Sequence, residues 1–248
     1  MLDLTGKVAL ITGGSRGLGR EIASAYARSG AEVVVASRKL DACEAAAADI
    51  RAQGGKAHAV ACHVGQWDQV DALVDTCLGL TGRIDVLVNN AGMSPLYDRL
   101  VDVTPELFDK VVAVNLRGPF RLGALVGEHM RDKGGGAIIN VSSASAVRPS
   151  PAEAVYAAAK AGLNTLTQVF ALAFGPTVRA NGIMPGPFLT DISKAWDMDA
   201  VERDLLSQIA LGRAGRPEEI VGLALLLASD AATYLNGETV RLDGGWLR

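Results

Sequence analysis

The chain has 248 residues, 49% hydrophobic and 21% charged, with a net charge of −3 at neutral pH; it is long enough for one large α/β domain and has no basic field to hold nucleic acid. Residues 1–7 lack the basic and then apolar regions of a secretory signal, and no apolar stretch approaches the ~18 residues of a membrane span. Cys43, Cys62 and Cys77 have no metal-like spacing, so the expectation is a soluble, cytoplasmic protein with reduced thiols and no nucleic-acid or membrane partner.

A short apolar run at residues 8–11 reads as the first strand. It is continuous rather than alternating, as in parallel strands covered on both faces. Thr12-Gly13-Gly14-Ser15-Arg16-Gly17-Leu18-Gly19 follows at once, and then a helix at 17–29. Glycines at 13, 17 and 19 permit a tight turn and close backbone approach to a pyrophosphate seated on the helix N-terminus. The spacing G-x-x-x-G-x-G departs from the common G-x-G-x-x-G fingerprint, but its place directly after strand one supplies the context such a loop needs. A second strand at 33–35 leads to Ser37-Arg38-Lys39, where many NAD-binding sheets carry an acid for the ribose 2′-hydroxyl. Ser37 can donate a hydrogen bond there, and Arg38, with Arg16 from the glycine loop, can pair with a 2′-phosphate. NADP(H) is therefore expected in preference to NAD(H).

The same alternation continues. Helix 40–53, strand 59–61, helix 66–81 and strand 86–88 lead to Asn89-Asn90-Ala91-Gly92. A helix at 105–131 opens with Thr104 as its cap and Pro105 in its first turn, and carries Asn115, a residue of poor helix propensity. Strand 137–141 runs into Ser142-Ser143; helix 156–174 stops at Gly175-Pro176. Strand 178–183 precedes Pro185-Gly186-Pro187-Phe188-Leu189-Thr190, and the weak pattern that follows reads as a substrate loop or lid at 187–215. A helix at 217–229 and a strand at 239–242 complete the series. Strand and helix repeated in this way predict a doubly wound, seven-stranded, mostly parallel sheet with helices on both faces, one domain over 1–248.

In the alanine-rich helix, Tyr156 and Lys160 stand about one turn apart on one face. An ammonium beside a phenol favours the phenolate, lowering a pKa that starts near ~10 and suiting Tyr156 to proton transfer.

These motifs, in this order and across the whole chain, resemble the short-chain dehydrogenase/reductases, in particular the single-domain subgroup that includes the 3-oxoacyl-carrier-protein reductases. The resemblance implies a Rossmann-type fold and hydride transfer between a nicotinamide and a carbonyl or secondary alcohol. It implies Tyr156 as proton donor in reduction or base in oxidation, with Lys160 lowering its pKa and binding the nicotinamide ribose. Ser143 would hydrogen-bond the substrate oxygen, Ser142 being the neighbouring alternative, and Asn115 would hold a water linking the lysine to solvent. Gly13, Ser15, Arg16, Gly17, Leu18 and Gly19 would cradle the pyrophosphate. Asn89, Ala91 and Gly92 would contact the adenosine ribose and stabilise the central sheet, and Pro185, Gly186, Phe188 and Thr190 would lie near the carboxamide. Family members commonly place an acid after the third strand for the adenine amino group. Here Cys62 is followed by His63, whose neutral imidazole can accept that bond, and by Val64, which can serve through its backbone. No cluster suggests a metal site.

The implied partners are a small-molecule substrate and three further copies of the chain, a homotetramer pairing helices 105–131 and 156–174. Met93, Ser94, Pro95, Val147, Pro149, Pro151, Phe188 and Trp196 are candidate pocket walls. Two other readings remain open at this point: an NAD(H)-preferring alcohol dehydrogenase of the same family, and a catalytically silent dinucleotide-binding regulator.

Overall fold

Seven short apolar runs form one sheet: β1 (Val8–Thr12), β2 (Glu32–Ser37), β3 (Lys56–Ala61), β4 (Val86–Asn89), β5 (Gly136–Val141), β6 (Val178–Pro185) and β7 (Thr239–Leu242). The structure, a computed structural model, describes residues 2–190 and 206–247; Trp196 and most of the expected substrate loop lie outside the described residues. The strand order is β3-β2-β1-β4-β5-β6-β7, and every pairing is parallel. The order reverses between β1 and β4, the place where open sheets of this kind bind ligands beyond their carboxyl ends.

Alternate residues of each strand feed two cores, which is why helices are needed on both sides. Ala9, Ile11, Val33, Val35, Val88 and Ile139 pack with Ile22 and Tyr26 of α1 (Gly17–Arg28), with α2 (Leu40–Ala52) and with Leu227 of α7 (Val221–Ala228). Leu10, Val34, Leu87 and Ile138 point the other way. They meet Leu73 of α3 (Trp67–Thr81), Leu122 and Met130 of α5 (Gly118–Asp132), and Phe170 and Phe174 of α6 (Ala154–Phe174). Each fully buried side chain of this size contributes about 1.5–3 kcal/mol. Tyr26 adds a polar tie, its hydroxyl donating to the Ala224 carbonyl at 2.8 Å.

The expected helix at 105–131 is broken. It consists of α4 (Pro105–Val112), a π-turn at Ala113–Arg117 and α5. Thr104 caps α4 by accepting from the Leu107 N–H at 3.2 Å. The cause of the break lies in Gly118-Pro119. Pro119 has no N–H to return to the carbonyl four residues back, which belongs to Asn115, so the ladder widens there. A Cβ on Gly118 would stand 2.1 Å from the Val64 carbonyl oxygen, so only glycine lets this turn approach the end of β3. The expected helix at 217–229 begins as a 3-10 turn, Pro217–Ile220, before α7.

Candidate active site

A cleft of about 640 Å³ runs along the carboxyl ends of the strands, from Arg38 and Lys39 past the glycine loop to Tyr156 and Thr190. The loop after β1 is shaped for close approach. Gly13 and Gly17 have φ of +66° and +54°, the left-handed region that favours glycine. A Cβ on Gly13 would meet the Asn90 side chain at 2.7 Å, and one on Gly19 would meet it at 2.4 Å. Asn90 is thus the post that holds the loop: its Nδ2 donates to the Thr12 carbonyl at 3.0 Å and to that of Gly13 at 3.2 Å. Ser15, Arg16, Gly17 and Leu18 line the cleft, while Gly19 is buried beneath it. The loop leads straight into the N-terminus of α1, the arrangement a pyrophosphate requires.

At the far end, Arg16, Arg38 and Lys39 are exposed, and none forms an ion pair with a described residue. Ser37 lies beside Cys43, Oγ to Sγ 3.0 Å, and also lines the cleft. His63 lines it too, but its ring is already engaged: Nδ1 accepts from the Gly65 N–H at 3.1 Å. An imidazole accepting at Nδ1 carries its proton on Nε2, so the free edge donates rather than accepts. The acceptor role expected of His63 toward an adenine amino group is therefore not available in this tautomer. Val64 is buried and lines the cleft.

Of the two roles expected of Asn89, the structure shows the one in the sheet. Asn89 does not line the cleft. Its Nδ2 donates to Asn140 Oδ1 at 2.9 Å, and Asn140 donates onward to Thr167 at 2.9 Å, a buried chain tying β4 and β5 to α6. Ala91 and Gly92 do line the cleft, as does Asn90, which the sequence reading had not singled out.

The opposite end of the cleft draws on several elements. Ser142 and Ser143 follow β5; Tyr156 and Lys160 project from α6. Ser143 Oγ accepts from the Ser145 N–H at 3.1 Å, which fixes its rotamer, and Ser143 lines the cleft with Tyr156. Lys160 is 2% exposed, with Nζ donating to the Val141 carbonyl at 2.7 Å and lying 5.8 Å from the Tyr156 ring centre. Burial pushes the phenol up to about 12, against a downward pull from Ser143, with the Glu153 carboxylate adding to the rise. Burial pulls the Lys160 ammonium down to about 8. The expected depression of the phenol by Lys160 does not appear: the cation faces a backbone carbonyl, and desolvation dominates.

Asn115 is fully buried in the π-turn, its side chain spent on backbone. Nδ2 donates to the Met93 and Val111 carbonyls at 2.8 and 2.9 Å, and Oδ1 accepts from the Met93 N–H at 3.2 Å. The amide therefore clamps the loop after β4; what Pro119 leaves without its α-helical donor is the Asn115 carbonyl. A Cβ on Gly92 would lie 3.0 Å from Asn115 Oδ1 and 3.7 Å from Lys160 Nζ, so the three groups converge.

After β6, Pro185, Gly186, Phe188 and Thr190 line the cleft. Phe188 is seated by Gly215, unnoticed in the sequence: Leu189 donates to its carbonyl at 2.8 Å, and a Cβ there would strike the Phe188 ring at 2.8 Å. Of the expected pocket walls, Met93, Ser94 and Phe188 line the cleft. Val147 lines a neighbouring cavity with Arg148 and Trp246, and Pro95, Pro149 and Pro151 line neither. The sequence reading also missed Glu153, one turn before Tyr156. Its carboxylate accepts from Ser94 Oγ at 2.8 Å and Ser145 Oγ at 2.5 Å.

The residues present fit a dinucleotide: a glycine cradle that side chains would fill, unpaired cations at one end, and donors at the other. Comparison with known proteins agrees. Residues 13–247 match the family model described as enoyl-(acyl carrier protein) reductase. The chain is 36% identical to rabbit (Oryctolagus cuniculus) dehydrogenase/reductase SDR family member 4, over 98% of this chain and 94% of that one. It is similar, with a TM-score of 0.95 and 35% identity over 99% and 98% of the two chains, to a putative short-chain alcohol dehydrogenase from Sinorhizobium meliloti. It is also similar to a putative NAD(P)-dependent gluconate 5-dehydrogenase from Beutenbergia cavernae with bound NADP, with a TM-score of 0.93 and 35% identity over 99% and 98%. No helix among the described residues is long and apolar enough to cross a membrane. The chain belongs to the short-chain dehydrogenase/reductase family, and it is an oxidoreductase.

Proposed function

We propose that this chain is an NADP(H)-dependent oxidoreductase that interconverts a carbonyl compound and the corresponding secondary alcohol, with Tyr156 as the proton donor in reduction and acceptor in oxidation. The observation that carries the reading is the meeting of Ser143, Tyr156 and Lys160 at one end of a cleft whose other end holds the glycine loop and free cations. The cofactor, when bound, supplies the hydride; the protein supplies alignment and the proton. Gly13, Ser15, Gly17 and Leu18 would hold the pyrophosphate with the α1 N-terminus. Arg38, with Arg16 and Ser37, would pair with a 2′-phosphate. Gly92, Pro185, Gly186, Phe188 and Thr190 would flank the nicotinamide, with Lys160 on its ribose.

In reduction, Ser143 donates to the substrate oxygen as negative charge grows there, and the Tyr156 hydroxyl delivers its proton to the same oxygen. A phenol held up to about 12 is protonated throughout the neutral range, which suits the donor role. Phe108, Phe120, Val169 and Leu172 expose apolar surface on α4, α5 and α6, and we take them as the faces of a homotetramer in the cytoplasm. Carbonyl compounds and alcohols screened at 340 nm with both cofactors test the reading. Turnover is expected with a preference for NADP(H), and Tyr156→Phe is expected to lose about 10²–10⁴ in kcat while the cofactor Kd stays unchanged. A preference for NAD(H) would overturn the reading of Arg38; full activity in the variant would overturn Tyr156.

A further inference from the structure

Among the described residues, the cleft has a polarity that the cofactor does not explain. Three of its four lysine and arginine side chains, Arg16, Arg38 and Lys39, lie at the adenosine end; at the other end Lys160 is turned to the Val141 carbonyl, and the one carboxylate lining the cleft, Glu153, lies beside Tyr156 and Ser143. That carboxylate is held in place. Ser94, on the loop after β4, donates to Oε2 at 2.8 Å, and Ser145, after β5, donates to Oε1 at 2.5 Å. The backbone around it is tied as well, the Tyr97 N–H donating to the Ala152 carbonyl at 3.2 Å and the Val155 N–H to Tyr97 Oη at 3.1 Å. Two serines use one lone-pair site on each oxygen and leave others able to accept. No arginine, lysine or histidine pairs with Glu153. Arg148, the nearest cation in sequence, belongs to the neighbouring cavity, where it stacks on Trp246 at 4.8 Å and hydrogen-bonds Gln208.

We infer that Glu153 is a specificity-determining residue, a fixed acceptor and negative charge at the substrate end that selects hydroxylated or aminated carbonyl substrates against those bearing a carboxylate near the reacting carbon. The inference rests on the proposed reaction and deepens it. A substrate hydroxyl or ammonium one or two carbons from the carbonyl finds an acceptor pre-oriented by Ser94 and Ser145, with no ordering cost at binding. A carboxylate in the same place meets like charge in a partly desolvated cleft, which is how a site rejects a competitor. Glu153 also adds, after burial, to the rise in the phenol's pKa.

The test compares hydroxyacetone, aminoacetone and pyruvate, small ketones differing in the group beside the carbonyl. Each is titrated by calorimetry into the enzyme–NADP⁺ complex, which cannot reduce them, for the wild type and Glu153→Gln. The wild type is expected to bind aminoacetone and hydroxyacetone more tightly than pyruvate. In the variant, the pyruvate Kd relative to that of hydroxyacetone is expected to improve by roughly tenfold or more, the size of one partly screened charge at contact distance, and aminoacetone to weaken. An unchanged ratio overturns the inference. So does pyruvate binding as tightly as aminoacetone in the wild type, a result that holds even if the variant does not fold. Absence of saturable hydroxyacetone or aminoacetone binding to a wild-type complex that does form also counts against it. Failure of NADP⁺ itself to bind would strike the proposed function instead.

Discussion

Lys160 is a cation 2% exposed with no carboxylate partner among the described residues, its charge met by the Val141 carbonyl. Such a group is costly to bury. A fall from the usual 10.5 to about 8 corresponds to a penalty on the order of 3 kcal/mol for the charged form at neutral pH. Lys160→Met is therefore expected to abolish turnover yet raise stability by about 1–3 kcal/mol at pH 7, a trade of stability for function. The pH dependence has a definite sign. Because the folded pKa lies below the unfolded one, the unfolded chain holds more protons between pH 8 and 10.5, and the Lys160 contribution to wild-type stability improves as pH rises through that window. The advantage of the variant should shrink from pH 8 to 10.5, and the difference between the two proteins isolates this lysine from other titrating groups. Thermal or denaturant unfolding at pH 7 and 10 reads it; an advantage that is constant or grows with pH would sink the assignment.

At the scale of helices, glycine serves two opposite purposes. On α5, a Cβ at Gly123 would stand 2.3 Å from the Phe170 ring, and one at Gly127 would stand 2.3 Å from Phe174. These glycines are sockets for two rings that stack 5.9 Å apart on α6. This packing holds the helix of Tyr156 and Lys160 against the one that follows Asn115. At Gly79, on the exposed side of α3, nothing lies within 4 Å. Helix propensity alone would make alanine better at both positions by about 1 kcal/mol. Overpacking costs about 1–3 kcal/mol and reverses the sign at the socket. Gly123→Ala is expected to lose about 1–2 kcal/mol and Gly79→Ala to gain about 0.5–1, measured by urea denaturation at fixed m-value. Equal gains at both would mean that α5 and α6 do not pack this closely.

For the whole molecule, the sheet and its helices were readable because continuous apolar runs and capping signals are local features. The seven expected strands appear, and the glycine loop stands where its place after β1 put it. What escaped the sequence depends on contacts between distant segments. Gly118 and Gly215 matter through Val64 and Phe188, the break at Asn115 through a proline four residues on, and Glu153 through serines on two other loops. The hydrogen bonds of His63 with Gly65 and of Asn89 with Asn140 leave no motif for the same reason. Oligomerisation belongs to this class of feature too. Single exposed apolar residues are ordinary, but Leu172 is 85% exposed on α6, and Val169 beside it and Phe108 and Phe120 on α4 and α5 are also uncovered. These helices bury their other faces within the subunit, and the proposed homotetramer would cover these exposed side chains. Light scattering of the wild type is expected to give a mass near four times 25.8 kDa. Leu172→Glu should shift it to a smaller species with an unchanged circular dichroism spectrum, because a carboxylate there costs nothing in the monomer and is desolvated only on assembly. A wild type that scatters as a monomer, or a variant that keeps the full mass, would remove these helices from the interface.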